Sequence, residues 1–205
     1  DGVVAVDIGG IKFDEADRSK SQFNPLLAKA GQGSPSNPVK LASMGDPTGR
    51  NHAAFPFLSE STGNFYIIAG DENFPWGVLA TKGQPSNPRG GYHFLNFSDP
   101  DNPKEEAIYE VPEAGSHNLW VFGDILIAGN YQGGLRVVDI SGELLGDIYK
   151  QGREIGHYLP YHKKGKIPNA PMVWGAQPYK DYIFFADMNS GLYCIKLEDK
   201  KKDSG

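Results

Sequence analysis

Residues 117–149, HNLWVFGDILIAGNYQGGLRVVDISGELLGDIY, contain four short apolar runs separated by turn residues. The runs LWVF, ILIAG, LRVVDI and LLGDIY are rich in aliphatic and aromatic residues, and Gly, Asp, Asn and Ser lie between them. This alternation is typical of strands joined by tight hairpin turns. The segment therefore predicts one four-stranded antiparallel sheet, the unit that forms a blade of a β-propeller in typically ~40–50 residues.

The same unit recurs along the chain. KDYIFFADMNSGLYCIKL (residues 180–197) aligns without a gap on residues 123–140. A looser copy combines FYIIAGD (residues 65–71) with GGYHFLNFS (residues 90–98), and GVVAVDI (residues 2–8) aligns on the third run of the central unit. The repeats predict an all-β propeller with four-stranded antiparallel blades, of which this chain holds about 3.5–4 out of a larger ring of about 6–8.

The blades divide the chain into segments. Insertions are expected at residues 11–51, at 71–89 within a blade and at 150–171. The end of a blade is expected at residues 1–10, full blades at 52–111 and 117–149, the last blade at 172–197 and a charged tail at 198–205. Because the chain begins inside a blade, and open strand edges invite pairing, we expect the missing blades and a signal peptide upstream in the same protein. Alternatively, residues 1–10 supply the outer strand of the last blade and close a small ring.

Three segments resemble LVIVD-repeat proteins: GGLRVVDIS, ILIAGN and HNLWV. The family takes its name from an aliphatic strand ending in Asp, seen here as RVVD (residues 136–139) and VAVD (residues 4–7), and residues 168–197 are similar to the last blade of bacterial members. The Asp is absent from the copies at residues 95–98 and 194–197. The resemblance implies a propeller and an extracytoplasmic location, either periplasmic, secreted or at the bacterial surface. The family's activities are largely undefined, but distant relatives, the selenium-binding proteins, include metal-dependent thiol oxidases.

Composition excludes several classes of function. The net charge of -5 argues against nucleic acid as the main partner, because phosphate binding requires a basic surface. No apolar run approaches the ~18–20 residues of a membrane-spanning helix, and no signal peptide is visible in this chain. The single cysteine, Cys194, excludes an internal disulfide and is predicted to be a buried structural thiol. The G-x-S-x-G, Walker, H-E-x-x-H, C-x-x-C and EF-hand motifs are absent.

Two histidines occupy equivalent positions. His52 and His117 each precede the innermost strand of a blade, so both are expected near the mouth of the central channel. Neutral imidazoles there would bind copper, zinc or iron. The alternative is that each histidine bonds to the backbone of a neighbouring blade. Trp174 stands at this position in the last blade, which argues against a complete ring of histidines, and His157 and His162 lack nearby ligands at metal-like spacing.

Polar residues also recur at the end of the second strand of each blade, where Asp71, Asn130 and Asp187 are equivalent. With loop carbonyls, Asp71 and Asp187 would suit calcium. Alternatively, these side chains accept backbone N–H groups and begin the turn that follows. No cofactor is required by the sequence, and a channel metal or calcium remains open.

The leading interpretation is a non-enzymatic extracytoplasmic propeller that binds a protein partner or serves as a scaffold. A larger surface or membrane-associated assembly, of which it would be one subunit, is one setting for such a module. The long loops would make the contacts, because they carry aromatic residues, and aromatic side chains dominate interface energetics. The candidate contact residues are the anchors Phe74, Trp76, Tyr158 and Tyr161, with Lys163 and Lys164 for an acidic partner. The alternatives are a metal-dependent oxidoreductase or hydrolase with its site in the central channel, and a calcium-stabilised carbohydrate-binding propeller.

Overall fold

The computed structural model describes residues 2–10, 24–45, 48, 51–72, 90–112 and 114–198. These residues form β-strands and one short 3-10 helix at Pro25–Lys29, which confirms the predicted all-β class. The strands are β1 (Val3–Asp7), β2 (Val39–Met44), β3 (Asn51–Leu58), β4 (Phe65–Asp71), β5 (Gly91–Asn96), β6 (Lys104–Glu110), β7 (Leu119–Phe122), β8 (Ile125–Gly129), β9 (Leu135–Asp139), β10 (Gly146–Asp147), β11 (Glu154–Tyr158), β12 (Val173–Tyr179), β13 (Tyr182–Asp187) and β14 (Gly191–Ile195).

The strands form four sheets that follow one another along the chain. Sheet 1 pairs β1 with β2, and sheet 2 has the order β10-β6-β5-β4-β3. Sheet 3 has the order β11-β9-β8-β7, and sheet 4 has the order β12-β13-β14. Neighbouring strands are antiparallel except β10 and β6, which run parallel. The hairpin turns therefore link strands that are adjacent in both sequence and space, as their Gly, Asn and Asp residues predict.

The hydrophobic core lies between successive sheets. One cluster, which includes Val3 and Ile67, lies between sheets 1 and 2, and a second, which includes Ile68 and Leu126, lies between sheets 2 and 3. A third cluster, which includes Leu135, lies between sheets 3 and 4. Alternate side chains of a strand point to opposite faces of its sheet. Since sheets 2 and 3 each have a hydrophobic cluster on both sides, both of their faces are buried. This explains why β4 and β5 are buried at every position.

The fourth strand of sheet 3 differs from the prediction. It was expected within residues 144–149, but that segment contributes β10, which pairs with β6 of sheet 2. The strand that completes sheet 3 is β11, which pairs with β9 and lies in the region predicted to be an insertion, residues 150–171. The cause is burial: Leu144 and Ile148 are fully buried in the core between sheets 2 and 3, which holds residues 144–149 against sheet 2.

The region predicted as a long loop, residues 11–51, also contains structure within its described part. β2 lies there and pairs with β1, so residues 1–10 do not complete the last sheet as the alternative had proposed. The Asp7 carboxylate fixes the segment before β2 against the end of β1, because it accepts N–H bonds from Gly31 at 2.7 Å and from Gly33 at 2.8 Å. These bonds, with the one from Gly9, lower the pKa of Asp7.

Cys194 is exposed, so the prediction of a buried thiol is wrong for this structure. It lies on β14, and the neighbouring Tyr193 and Ile195 pack instead into the core between sheets 3 and 4. Because adjacent strand residues face opposite sides, Cys194 points away from that core. No helix in the described part of the chain is long and apolar enough to cross a membrane.

Candidate metal centre

Three side chains from sheets 2 and 3 converge at one point. They are His52, Glu72 and His117, whose possible ligand atoms all lie within 4.8 Å of one another. The two histidines were candidates from their equivalent positions, and the structure brings them together with ring centroids 4.4 Å apart. Glu72 was not predicted. Among the described residues, this is the group of histidines and carboxylates whose spacing suits a metal ion.

The backbone aims each of these side chains. His52 lies at a β-bulge, because β3 pairs Asn51 with Asp71 but Ala53 with Gly70. A bulge redirects one side chain out of the regular alternation, and such bulges are common beside functional sites. Glu72 immediately follows the last residue of β4. The backbone N–H of His117 donates to the Gly129 carbonyl at 2.9 Å, which fixes the residue beside the end of β8.

Glu72 bridges the two histidines. One carboxylate oxygen lies 3.1 Å from Nδ1 of His52, and the other lies 3.8 Å from Nε2 of His117. His52 and Glu72 are about one-third exposed, whereas the His117 side chain is largely buried. The cluster thus has a buried side at His117 and a solvent-exposed side at His52 and Glu72, from which a ligand can enter.

The surroundings of His117 select its neutral form. Burial lowers the pKa of His117, as does the nearby His52, and these effects outweigh the opposing influence of Glu72. The Trp174 carbonyl oxygen lies 3.0 Å from Nδ1. Since a carbonyl only accepts, Nδ1 carries the proton, and Nε2, which lies 3.8 Å from Glu72, keeps a free electron pair. A neutral imidazole in this tautomer is the form that binds metals.

Tyr131 holds the Glu72 carboxylate in place through a hydrogen bond. Its hydroxyl donates to Oε1 of Glu72 at 2.7 Å, and burial followed by this bond raises the pKa of Tyr131, which keeps the hydroxyl protonated. Its φ of 45° is a left-handed conformation that bulky residues rarely adopt. Two hydrogen bonds with Val173, of 2.9 and 3.0 Å, hold it there. Backbone strain of this kind clusters at functional sites.

Trp174 continues the series of equivalent positions. Like His52, it lies at a bulge, because Val173 pairs with Asp187 but Gly175 with Ala186. Its indole stacks on the His117 ring, with centroids 5.1 Å apart and planes inclined by 18°. It also lines a cleft of about 560 Å³, together with Asn118, the residue that follows His117. The other apolar residues of this cleft include Phe55, Leu119, Trp120, Phe184 and Leu192.

Asp71 has a different role from its neighbour Glu72. Its Oδ2 accepts the Thr48 hydroxyl at 2.6 Å and lies 3.2 Å from Nε2 of His93, whose Nδ1 lies 2.7 Å from Glu105. Burial alone would lower the pKa of His93, but the bonds to Asp71 and Glu105 outweigh it and raise the pKa to about 9. His93 is therefore charged at neutral pH. Sequence analysis missed this buried network because its members are far apart in the chain.

Asp187 forms the turn after β13. It accepts backbone N–H bonds from Met172 at 2.5 Å and Ser190 at 2.7 Å, and the Ser190 hydroxyl also donates to it. These contacts match the turn-forming alternative. Asp71 and Asp187 lie in sheets 2 and 4, respectively, and calcium binding by either of them stays a prediction.

The predicted partner-binding residues fall into two groups. Tyr158 is partly exposed and packs against Phe185 and Tyr193, whereas Tyr161 and the pair Lys163 and Lys164 lie on the surface. Phe74 and Trp76 lie outside the described residues. His157 is about half exposed and lies 2.9 Å from Glu154.

No family model matches the chain, and no curated protein matches it. Two solved structures are distantly similar. The computationally designed Ika4 protein superposes with a TM-score of 0.38 and 12% identity, over 76% of this chain and 100% of Ika4. The AfRom2 CNH domain superposes with a TM-score of 0.32 and 17% identity, over 82% of this chain and 48% of that chain. Fold and site together describe an all-β protein with a candidate centre of two histidines and one carboxylate.

Proposed function

We propose that this chain binds a divalent transition metal through His52, Glu72 and His117, and that it is part of a metal-dependent enzyme, an oxidoreductase or a hydrolase. The observation that carries the proposal is the convergence of two imidazoles and a carboxylate from three separate segments of the chain within 4.8 Å. The fold that we propose around this centre is a β-propeller of the LVIVD-repeat type.

The order of the sheets supports the propeller. Each sheet packs on the next through one hydrophobic cluster, and the described sheets follow the chain. The rings of the equivalent residues His52, His117 and Trp174 lie in a continuous row, with successive centroids 4.4 and 5.1 Å apart; the first pair is tilted by 42° and the second is stacked. Innermost strands arranged around a common axis would bring such positions together.

The donor set favours a transition metal. Calcium and magnesium prefer oxygen ligands, whereas imidazole suits zinc, copper, iron and nickel. Two histidines and a glutamate form the ligand set of several zinc hydrolases, and two histidines with a carboxylate form that of non-haem iron oxygenases. Three protein ligands leave a position for water or substrate, where the metal would act as a Lewis acid or hold a redox-active ligand.

The surrounding residues prepare the ligands. Tyr131 holds Glu72, and the Trp174 carbonyl fixes the tautomer of His117. Such outer partners orient ligands and raise their basicity. The apolar cleft beside Trp174 would take a substrate with an aromatic or aliphatic group.

Metal titration tests this function. The 205-residue chain is stripped with a chelator, checked for folding by circular dichroism, and titrated with Zn²⁺ and Co²⁺. We expect one metal per chain and visible Co²⁺ absorption bands. The variants His52→Ala, Glu72→Ala and His117→Ala should each lose binding. The matched control, His162→Ala, changes an exposed histidine outside the cluster and should retain it. Binding that survives all three substitutions, or no binding at all, would overturn the proposal.

A second candidate function is the protein-binding scaffold predicted from the sequence. Tyr161, 63% exposed, stands close in sequence to the exposed Lys163 and Lys164, so an acidic partner with an apolar anchor would fit this surface. A synthetic Glu-rich peptide containing one Leu should bind with an affinity that falls as salt rises. Changing Lys163 and Lys164 to Glu should abolish binding, whereas Lys180→Glu, at another exposed lysine, should not.

A further inference from the structure

Aromatic side chains are exposed along β7 of sheet 3 and β12 of sheet 4. On β7, Trp120 is 37% and Phe122 is 70% exposed, and on β12, Trp174 is 38% and Tyr179 is 62% exposed. Phe122 and Tyr179 occupy equivalent positions of the internal repeat. Exposed apolar surface that is contiguous in this way often marks a ligand-binding groove.

These side chains share one surface because the two strands pack together. The backbone N–H of Asn118, the residue before β7, donates to the Trp174 carbonyl at 2.9 Å. Asn118, Trp120, Trp174 and Gln177 line the same cleft of about 560 Å³. Ligand pockets typically measure about 300–1,000 Å³, so the cleft is large enough for a small molecule or part of a longer one.

The surface continues beyond the cleft. Side chains two residues apart on a strand lie on the same face, so Phe122 extends the face of Trp120. In the same way, Tyr179 extends the face of Gln177. At ~3.3 Å per residue, Phe122 lies roughly 16 Å along the chain from His117, a candidate metal ligand. We call this surface the aromatic strip, which comprises Asn118, Trp120, Phe122, Trp174, Gln177 and Tyr179.

The aromatic strip offers hydrogen-bonding groups but no charge. None of the described residues that line the cleft is charged, so an ionic ligand would have no counter-ion there. The side-chain amides of Asn118 and Gln177 are exposed and make no hydrogen bond within the part of the chain that the structure describes. Each amide supplies both donors and an acceptor. The ligand that fits is therefore uncharged and carries groups that donate as well as accept.

We propose that the aromatic strip binds an extended, uncharged oligosaccharide of β-1,4-linked sugar rings. The C–H groups of a sugar ring form aliphatic faces whose partial positive charge suits the negative face of an aromatic ring. Each sugar hydroxyl donates and accepts, which matches the amides of Asn118 and Gln177. Rings with equatorial hydroxyls and β-1,4 linkages form a straight chain, which matches a strip that follows two strands. Because Asn118 directly follows His117, the oligosaccharide would lie next to the metal centre; its role as the substrate of that centre rests on the proposed function.

A proline-rich peptide is the other extended ligand that aromatic grooves bind. Its backbone carbonyls only accept, and proline has no N–H to donate. The acceptor oxygens of Asn118 and Gln177 would therefore remain without a partner. This mismatch favours the oligosaccharide.

Calorimetric titration of the metal-free 205-residue chain tests the ligand class. We expect one molecule of cellohexaose, an uncharged β-1,4-linked glucose oligomer, to bind per chain. Maltohexaose, the curved α-1,4-linked isomer, should bind at least about tenfold more weakly. Equal binding of the two, or no binding of cellohexaose, would overturn the proposal. Binding of an oligoproline peptide in place of cellohexaose would assign the strip to a proline-rich partner.

Substitutions along the strip test where the ligand lies. Trp120→Ala and Phe122→Ala should each weaken cellohexaose binding about tenfold, because each removes one stacking surface. Gln177→Ala removes one amide and should weaken binding several-fold. Tyr161→Ala is the matched control, since Tyr161 is an aromatic residue of similar exposure, 63%, outside the strip. Circular dichroism verifies that each variant is folded.

Two outcomes of these substitutions would contradict the proposal. Unchanged affinity in both Trp120→Ala and Phe122→Ala would show that the strip is not the binding surface. A loss in Trp120→Ala alone would confine the ligand to the cleft and overturn the extended oligosaccharide.

Neither experiment uses metal, so this proposal and the metal centre can fail separately. Cellohexaose binding by a chain that takes up no metal would keep the strip as a sugar-binding surface and overturn the metal centre. Metal uptake by a chain that does not bind cellohexaose would overturn the strip and keep the metal centre.

Discussion

The indole of Trp174 lies against the imidazole of His117, with ring centroids 5.1 Å apart, and the Trp174 carbonyl lies 3.0 Å from Nδ1 of His117. A residue of sheet 4 thereby orients a candidate ligand carried by the segment that leads into sheet 3. Metal affinity should consequently depend on packing between these two sheets.

Trp174→Ala should weaken metal binding by about 10–100-fold, the usual effect of removing an outer partner of a ligand. The backbone carbonyl remains, but the ring that holds the imidazole in place is lost. Trp174→Phe keeps a stacking surface and should lose less. Competition with a zinc-sensitive dye measures both affinities, and equal losses in the two variants would show that the stack does not position His117.

Tyr131→Phe removes one hydroxyl and retains the ring. Because that hydroxyl donates to Glu72 at 2.7 Å, the variant should bind metal about 10–100-fold more weakly. The free energy of unfolding of the metal-free protein should fall by about 1.5 kcal/mol, the lower end of the range for a hydrogen bond to a charged group, because the Glu72 side chain is 29% exposed. Calorimetric titration and urea unfolding separate the two effects. If metal affinity and the free energy of unfolding fell by the same amount, the Tyr131 hydroxyl would have a structural role alone.

His93 should make stability depend on pH. Its folded-state pKa of about 9 lies above the ordinary value of 6.5, so its contribution is complete below pH 6.5 and is lost as pH rises through 9. A shift of this size corresponds to roughly 3 kcal/mol. Urea unfolding between pH 6 and about 10 should show the wild type losing stability faster than His93→Gln. Parallel curves for the two proteins would contradict a charged His93.

Asp187→Ala should lower the free energy of unfolding by roughly 3 kcal/mol, because the buried N–H of Met172 and the partly buried N–H of Ser190 lose a charged acceptor. Asp181→Ala is a matched control six residues earlier in the chain. Asp181 is largely exposed and lies 3.9 Å from Lys196, so its removal should change stability by less than about 0.5 kcal/mol. If added calcium raised the free energy of unfolding of the wild type but not of Asp187→Ala, calcium coordination by Asp187 would replace the turn-forming explanation.

Part of the candidate site could be predicted. His52 and His117 occupy equivalent repeat positions, and equivalent positions of neighbouring sheets come together when the sheets pack in sequence. Glu72 gave no such signal, because it is a single carboxylate after a strand and aligns with no second carboxylate in the repeat. In the sequence, Tyr131 is indistinguishable from an ordinary turn residue. Only the structure shows that its hydroxyl lies 2.7 Å from Glu72.

The sequence by itself determined the all-β class and most strand positions, because alternating side chains and turn residues act over a few neighbouring positions. The choice between β10 and β11 as the partner of β9 depended on the burial of Leu144 and Ile148 between sheets 2 and 3. The exposure of Cys194 likewise depended on which face of sheet 4 meets another sheet. Local pattern specifies that a strand has an apolar face, whereas only packing over long sequence separations decides what covers it.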